Sequence, residues 1–246
     1  MMRTANPALS DKAFTRSAAS PIAAQPSATM TVGGAVNKTL LLTLILLTSA
    51  TWMWTRVDTA GWLIGVGAII GLVLAIATIV RPAWAPVTAP LYALAEGALI
   101  GGLSATYEAA YPGIVIQAAL ATIATLLALL LAYRSGLVRA TENFRLGVTA
   151  ATGAIALVYL ASFVLRLFGR EIPFLHDSGP IGIGISAVIV VIAALNLVLD
   201  FDFIERGAER GAPKPMEWYA GFGLLVTLIW LYLEILRLLA KSRQRD

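Results

Sequence analysis

The sequence contains no cysteine and only one histidine among its 246 residues. Without cysteine there is no disulfide framework, no thiol nucleophile and no thiolate metal site, and the redox state of the compartment stays open. Charged residues are also scarce: they make up 13% of the chain, whereas a soluble domain has about 25%. This shortage, together with 59% hydrophobic residues and a mean hydropathy of +0.81, indicates a polytopic membrane protein.

Several motifs of enzymes and binding proteins are missing as well. The sequence shows no nucleotide-binding loop, no metal-spaced histidine pair, no serine–histidine pair and no aspartate in a Gly-x-Gly-Asp setting. We therefore expect no enzymatic activity and no bound cofactor. The net charge of +4 comes mostly from short segments between apolar runs. Such segments are typical of membrane topology, so we expect a lipid bilayer and not nucleic acid as the partner.

Seven apolar runs approach the ~20-residue length that crosses a bilayer. They are residues 37–55, 62–80, 86–107, 113–133, 144–168, 180–206 and 218–239. They predict an all-α membrane protein with three parts. Residues 1–36 lack an apolar core and are predicted to be a flexible cytoplasmic tail, residues 37–240 form the seven-helix transmembrane domain, and residues 241–246 form a basic tail.

The distribution of Lys and Arg predicts the orientation. Eleven of the 18 basic residues fall on the side of the N-terminus. The other seven include four at the C-terminus: Arg237, Lys241, Arg243 and Arg245. Because cytoplasmic segments carry an excess of Lys and Arg, the N-terminus is predicted to be cytoplasmic. A re-entrant run would instead place both ends in the cytoplasm.

Carboxylates interrupt three of the apolar runs, and three of these residues are the main functional candidates. Asp200 lies near the end of the sixth run, Glu234 lies in the seventh, and Glu96 lies near the middle of the third. A charge at the centre of a membrane helix costs about 2.5–3.5 kcal/mol on insertion scales, so such a residue is a functional candidate by default.

Several segments resemble the Bax inhibitor-1 family, in particular its bacterial YccA-like branch. They are residues 3–9 (RTANPAL), 176–182 (HDSGPIG), 199–205 (LDFDFIE), 216–219 (MEWY) and 230–239 (WLYLEILRLL). The resemblance implies six helices around a central last helix, in a pH-sensitive calcium leak channel of the bacterial inner membrane. It also implies that Asp200 and Glu234 are the pH-sensor acids and a tentative calcium site, and that Arg81 is a latch of the closed state. Glu234 stands where the family more often has aspartate.

Physical chemistry explains how such an acid pair works as a switch. Two carboxyl groups in a site of low dielectric cannot both ionise at low cost, so they share a proton and hold two helices together. Loss of the proton brings repulsion, which a cation or Arg81 relieves. A straight hairpin offsets Asp200 from Glu234 by about 10 Å, and Asn196 lies nearer the level of Glu234, where it is a candidate hydrogen-bonding partner. Asp202 is a supporting candidate.

Each of these residues also has an ordinary structural interpretation. Asp200 and Asp202 suit charges at a membrane interface, and Glu234 has Arg237 three residues on, the spacing of an ion pair on one helix face. Arg81 suits a positive-inside anchor. Glu96 lines a pore or packs in its protonated form, and His176 suits a solvated loop.

Three functions from different classes stay open. The first is the pH-gated cation leak. The second is a proton-coupled carrier that uses the same acids as a relay. The third is a non-transporting protein that modulates a membrane partner such as a protease.

Overall fold

A computed structural model of the protein describes residues 29–170 and 179–245. This part of the chain forms seven long helices. They are α1 (Val32–Trp54), α2 (Trp62–Val80), α3 (Ala85–Ala110), α4 (Ile114–Arg134), α5 (Glu142–Leu167), α6 (Pro180–Glu209) and α7 (Met216–Arg245). A four-residue helix at Val57–Ala60 and a 3-10 turn at Pro82–Trp84 lie in the connections. All seven long helices are long and apolar enough to cross a membrane. The prediction of an all-α polytopic membrane protein is confirmed.

The ends of the helices follow from local capping. Thr31 precedes α1 in an extended conformation, and its side chain accepts a hydrogen bond from the backbone of Gly34. Thr141 caps α5 in the same way. Gly211, with φ +63°, turns the chain between α6 and α7 in a conformation that glycine adopts at little cost.

Two boundaries differ from the sequence predictions. Residues 32–36 were assigned to the tail but are the first turn of α1. Helix α7 continues through Lys241 to Arg245, beyond the predicted start of the basic tail. Residues 1–28 of the predicted tail, and His176 with its loop, lie outside the described residues.

One compact unit contains α1, α2, α3 and residues 200–226. Helix α3 packs against both α1 and α2. The contact with α1 is close, because a Cβ at Gly97 would lie 2.7 Å from the Cβ of Ser49. The Ser49 hydroxyl donates to the backbone oxygen of Leu94 at 2.7 Å. The core of this unit is aromatic, with Tyr92 and Phe222 edge-to-face at 5.0 Å.

The other compact unit contains α4, α5, α6 as far as Leu199, and α7 from Thr227. Its described core includes Val148, Val198 and Leu199, with Tyr133 and Phe144 packed around them. Large apolar side chains are exposed along α4 and α5, as lipid-facing helices require. By contrast, 56% of the residues in the most apolar stretch of α7 are buried, against 11% of those in the corresponding stretch of α5. This burial agrees with the inner position predicted for the last helix.

Candidate functional site

Glu234 of α7 lies at the centre of a hydrogen-bonded group of three side chains. Glu234 is 1% exposed. Nη1 of Arg237 donates to both carboxylate oxygens, at 2.9 Å and 3.0 Å. The hydroxyl of Tyr159 donates to Oε1 at 2.8 Å. The ion pair that the sequence spacing indicated is therefore present, and a tyrosine completes it.

Tyr159 comes from α5 and joins the two charged groups of α7. Its hydroxyl oxygen accepts a hydrogen bond from Nη1 of Arg237 at 2.6 Å while it donates to Glu234. The guanidinium also lies 5.2 Å from the centre of the tyrosine ring, within cation–π range. A charged pair with such hydrogen bonds is tolerated in a low-dielectric interior, where a lone carboxylate is not. The group thus gives a carboxyl group inside a membrane helix hydrogen-bond donors from two side chains.

Asn196 is buried on α6, at 2% exposure. Its side-chain nitrogen donates to the hydroxyl of Thr152 on α5 at 2.9 Å and to the backbone oxygen of Ile192 at 2.8 Å. The sequence predicted an amide near Glu234, and the hydrogen bonds of this amide join α6 to α5. Asn196 therefore holds two helices of the same unit together.

Asp200 and Asp202 lie in the last part of α6 and differ in their surroundings. Asp200 is 0% exposed. Asp202 forms an ion pair with Arg206, one turn further on, at 2.8 Å, and the Arg206 side chain is 29% exposed. This pairing suits the interfacial interpretation of Asp202. Asp200 is the more deeply buried carboxyl group and the stronger candidate for a function.

Arg81 and Glu96 belong to the unit that contains Asp200. The guanidinium of Arg81 lies 4.6 Å from the ring centre of Trp84, and the residue is exposed. An exposed arginine on a tryptophan is the arrangement of a membrane-interface anchor, while its role as a latch stays a prediction. Glu96 is half-buried on α3, and a Cβ at Gly71 of α2 would lie 2.7 Å from its Oε2. A glycine thus makes room for this carboxylate.

Nearly the whole chain matches one protein family. A family model described as Bax inhibitor 1 like matches residues 6–244. The chain belongs to this family. No curated protein and no solved structure matches it. The family assignment that residues 199–205 and 230–239 suggested is confirmed, and with it the assignment as an integral membrane protein in contact with lipid.

Two predictions about this Bax inhibitor 1-like chain stay predictions. Asp200 belongs to the unit of α1 to α3, and Glu234 belongs to the unit of α4 and α5. Their action as a pair is therefore a matter for experiment. Among residues 29–170 and 179–245, no group of three His, Cys, Asp or Glu residues is arranged to hold a metal ion. The tentative calcium site at Asp200 and Glu234 stays a prediction.

Sequence reasoning missed a second buried glutamate, at the start of α7. Glu217 is 1% exposed. It accepts hydrogen bonds from the backbone nitrogen and the hydroxyl of Thr31, both at 3.0 Å, and from Lys214 at 2.7 Å. Met30 donates from its backbone to Ala212 at 2.6 Å beside it. We call Thr31, Lys214 and Glu217 the N-terminal clamp, because they fix the start of α1 to the start of α7.

Lys241 was expected in a solvated tail but is 5% exposed. Its ammonium group donates to the hydroxyl of Ser186 at 2.9 Å and to the backbone oxygen of Gly182 at 3.1 Å. The last turns of α7 are thereby fixed to the first turns of α6. The signal in the sequence was the continued helical spacing of Leu236, Leu239 and Ala240.

Proposed function

We propose that this Bax inhibitor 1-like chain is a pH-sensitive cation leak channel of the bacterial inner membrane, with Ca²⁺ as the favoured ion and a cytoplasmic N-terminus. One observation carries the proposal: two carboxyl groups are buried in apolar membrane helices. Asp200 is 0% exposed and Glu234 is 1% exposed. Ionisable groups at such positions are costly and mark ion pathways and proton relays.

The chemistry of these acids fits a passive gate better than a catalytic step. A carboxylate binds a proton or a hard cation such as Ca²⁺, and it cannot bind both at the same oxygen. Uptake of a proton by Glu234 removes the charge that holds the Arg237 guanidinium. The contact between the two side chains then weakens, because a charge-assisted hydrogen bond becomes a neutral one. Protonation therefore biases the position of a side chain inside a span, as a pH switch requires.

The test is Ca²⁺ flux into liposomes that contain the purified protein and a Ca²⁺-sensitive dye. Flux is followed from mildly acidic to mildly alkaline pH for wild type, Asp200→Asn, Glu234→Gln and the double variant. Glu209→Gln serves as the control, since Glu209 is an exposed carboxylate at the end of α6. We expect passive flux that depends on pH in wild type and in the control, and altered pH dependence in both single variants. An effect of the double variant equal to that of either single variant identifies the acids as one unit.

Other outcomes distinguish the alternative functions. Saturable exchange of Ca²⁺ for protons at a fixed ratio identifies a proton-coupled carrier. Identical traces from wild type, both single variants and protein-free liposomes overturn the transport proposal. That result leaves a non-transporting role, such as modulation of a membrane protease, as the remaining candidate.

A further inference from the structure

The Glu234 carboxylate already has a positive partner within the protein. Both of its oxygens accept hydrogen bonds from Nη1 of Arg237, at 2.9 Å and 3.0 Å. Because the two residues are three apart on α7, the pair forms within one helix turn. The guanidinium therefore supplies a positive charge to the carboxylate from within the protein.

The two partners differ in how firmly they are held. The side chain of Glu234 is 2% exposed, and that of Arg237 is 32% exposed. A long, partly exposed arginine side chain is able to turn its charged end towards polar surroundings. The shorter, enclosed glutamate has no such alternative. Arg237 is therefore the partner that moves when the pair separates.

Tyr159 sets how easily that movement takes place. Its hydroxyl accepts from Arg237 at 2.6 Å and donates to Glu234 at 2.8 Å, so it is bonded to both members of the pair. Its ring faces the guanidinium at 5.2 Å. Because Tyr159 belongs to α5, the strength of this contact depends on how α5 and α7 are packed. A change in that packing changes the hold on Arg237.

A cation that binds both oxygens of this carboxylate needs the position between them that the guanidinium occupies. Ca²⁺ binds carboxylate oxygens at about 2.4 Å, and Nη1 of Arg237 already lies on both oxygens. We propose that Arg237 is a resident counter-ion that a permeating cation must displace from Glu234, and that Tyr159 is the positioning residue that holds Arg237 in place. This inference rests on the proposed leak. It assigns the barrier to ion passage to Arg237, which lies on the same helix as Glu234.

The proposal predicts that Arg237→Gln exposes a vacant carboxylate. The carboxylate left in the buried site must then take up a proton or a cation to balance its charge. We expect Arg237→Gln to bind Ca²⁺ about tenfold more tightly than wild type, since loss of one charge-assisted competitor is worth about that factor. We expect a similar increase in the Ca²⁺ leak. Arg237→Lys restores the charge without the planar guanidinium, so its affinity is expected to lie between the two.

The experiment measures Ca²⁺ binding by titration calorimetry in detergent and Ca²⁺ flux in liposomes, on the same preparations. Arg243→Gln is the matched control: it removes one positive charge from the same helix, where Arg243 bonds the oxygens of Pro112 and Gln117. Tyr159→Phe keeps the ring and removes the hydroxyl. We expect it to raise the affinity by a smaller factor than Arg237→Gln, and we expect Arg243→Gln to bind like wild type.

The outcomes separate this inference from the proposed function. If Arg237→Gln binds Ca²⁺ more tightly than wild type but no sample shows Ca²⁺ flux, the counter-ion role of Arg237 is supported and the proposed leak is overturned. If wild type shows Ca²⁺ flux but wild type, Arg237→Gln and Tyr159→Phe bind Ca²⁺ with equal affinity, the counter-ion role of Arg237 is overturned. The proposed leak then stands. Equal increases in Arg237→Gln and Arg243→Gln also overturn it, because they show an effect of net charge alone. Should Arg237→Gln not fold, the same comparison between Tyr159→Phe and wild type decides.

Discussion

Two glutamates of α7 are equally buried but are held in different ways. Glu217 and Glu234 are each 1% exposed. Glu217 is bound in part by a backbone nitrogen, that of Thr31 at the start of α1. The hydrogen bonds of Glu234 come from the side chains of Tyr159 and Arg237. A backbone donor moves only when its helix end unfolds, whereas a side-chain donor leaves by changing its rotamer. Two equally buried carboxylates therefore differ in how readily they lose their hydrogen-bond donors.

The surroundings of Glu217 strengthen this contrast. The carboxylate lies at the N-terminal end of α1, where unsatisfied backbone N–H groups and the helix dipole favour a negative charge. A Cβ at Gly34 would overlap the carboxylate, so a larger residue there would have to displace it. The ring of Trp218 lies 4.5 Å from the ammonium of Lys38 in the same region. The N-terminal clamp is thus a fixed structural contact.

The largest effect on stability is expected from Glu217→Ala. The change leaves the backbone and hydroxyl donors of Thr31 without their acceptor. We expect the free energy of unfolding to fall by about 2–4 kcal/mol. Thermal unfolding in detergent, followed by circular dichroism, measures this loss. A melting temperature equal to that of wild type contradicts a structural role for the clamp.

The next largest effect is expected from Arg237→Gln, and it should depend on calcium. Loss of the guanidinium leaves Glu234 buried without its counter-ion, so we expect the melting temperature to fall in the presence of a chelator. Added Ca²⁺ should restore it, because a ligand that binds only the folded state stabilises that state. Glu217→Ala should show no such recovery. Equal recovery in both variants would remove the distinction between the two glutamates.

A smaller effect is expected from Gly34→Ala. The new Cβ displaces the Glu217 carboxylate from the clamp, and we expect a loss of about 1–3 kcal/mol. Gly33→Ala is the control, since a Cβ at Gly33 meets nothing within 4 Å. Alanine there favours the helix and should raise stability by less than about 1 kcal/mol. The same denaturation assay compares the two variants, and equal losses would show that the close approach to Glu217 does not matter.

The smallest effect is expected from Asp202→Asn. The side chain of Arg206 is 29% exposed and that of Asp202 is 11% exposed, so water screens the pair in part and we expect it to contribute about 1 kcal/mol or less. We expect little change in the melting temperature and flux like that of wild type. A change in flux as large as that of Glu234→Gln would give Asp202 a functional role that its ion pair does not suggest.

Patterns within one segment of sequence predicted most of the fold. The lengths of the apolar runs gave seven spans, and the start of α2 at Trp62 and of α6 at Pro180 agree with the structure. The ion pair between Glu234 and Arg237 could also be predicted from the sequence, because both residues lie on one helix. The start of α1 was missed because residues 1–36 lack an apolar core, although Thr31 caps the helix there.

Contacts between segments that are distant in the sequence could not be predicted from local patterns. Nothing near Tyr159 in the sequence indicates that its hydroxyl meets residues 75 and 78 positions away. Thr31 and Glu217 are 186 positions apart, and Lys241 and Ser186 are 55 apart. These contacts depend on how helices pack, and a hydrophobic pattern states only which faces are apolar. The candidate site therefore emerged from sequence as single residues, and the structure supplied their partners.

The most direct measurement of the central claim is the pH dependence of Ca²⁺ flux for Glu234→Gln and Glu217→Gln in the same liposomes. Both variants replace a glutamate that is 1% exposed on α7 with its neutral isostere. We predict that Glu234→Gln loses the pH dependence, while Glu217→Gln keeps the wild-type profile per folded molecule. Equal profiles for the two variants, or a change confined to Glu217→Gln, would contradict the assignment of Glu234 as the switch.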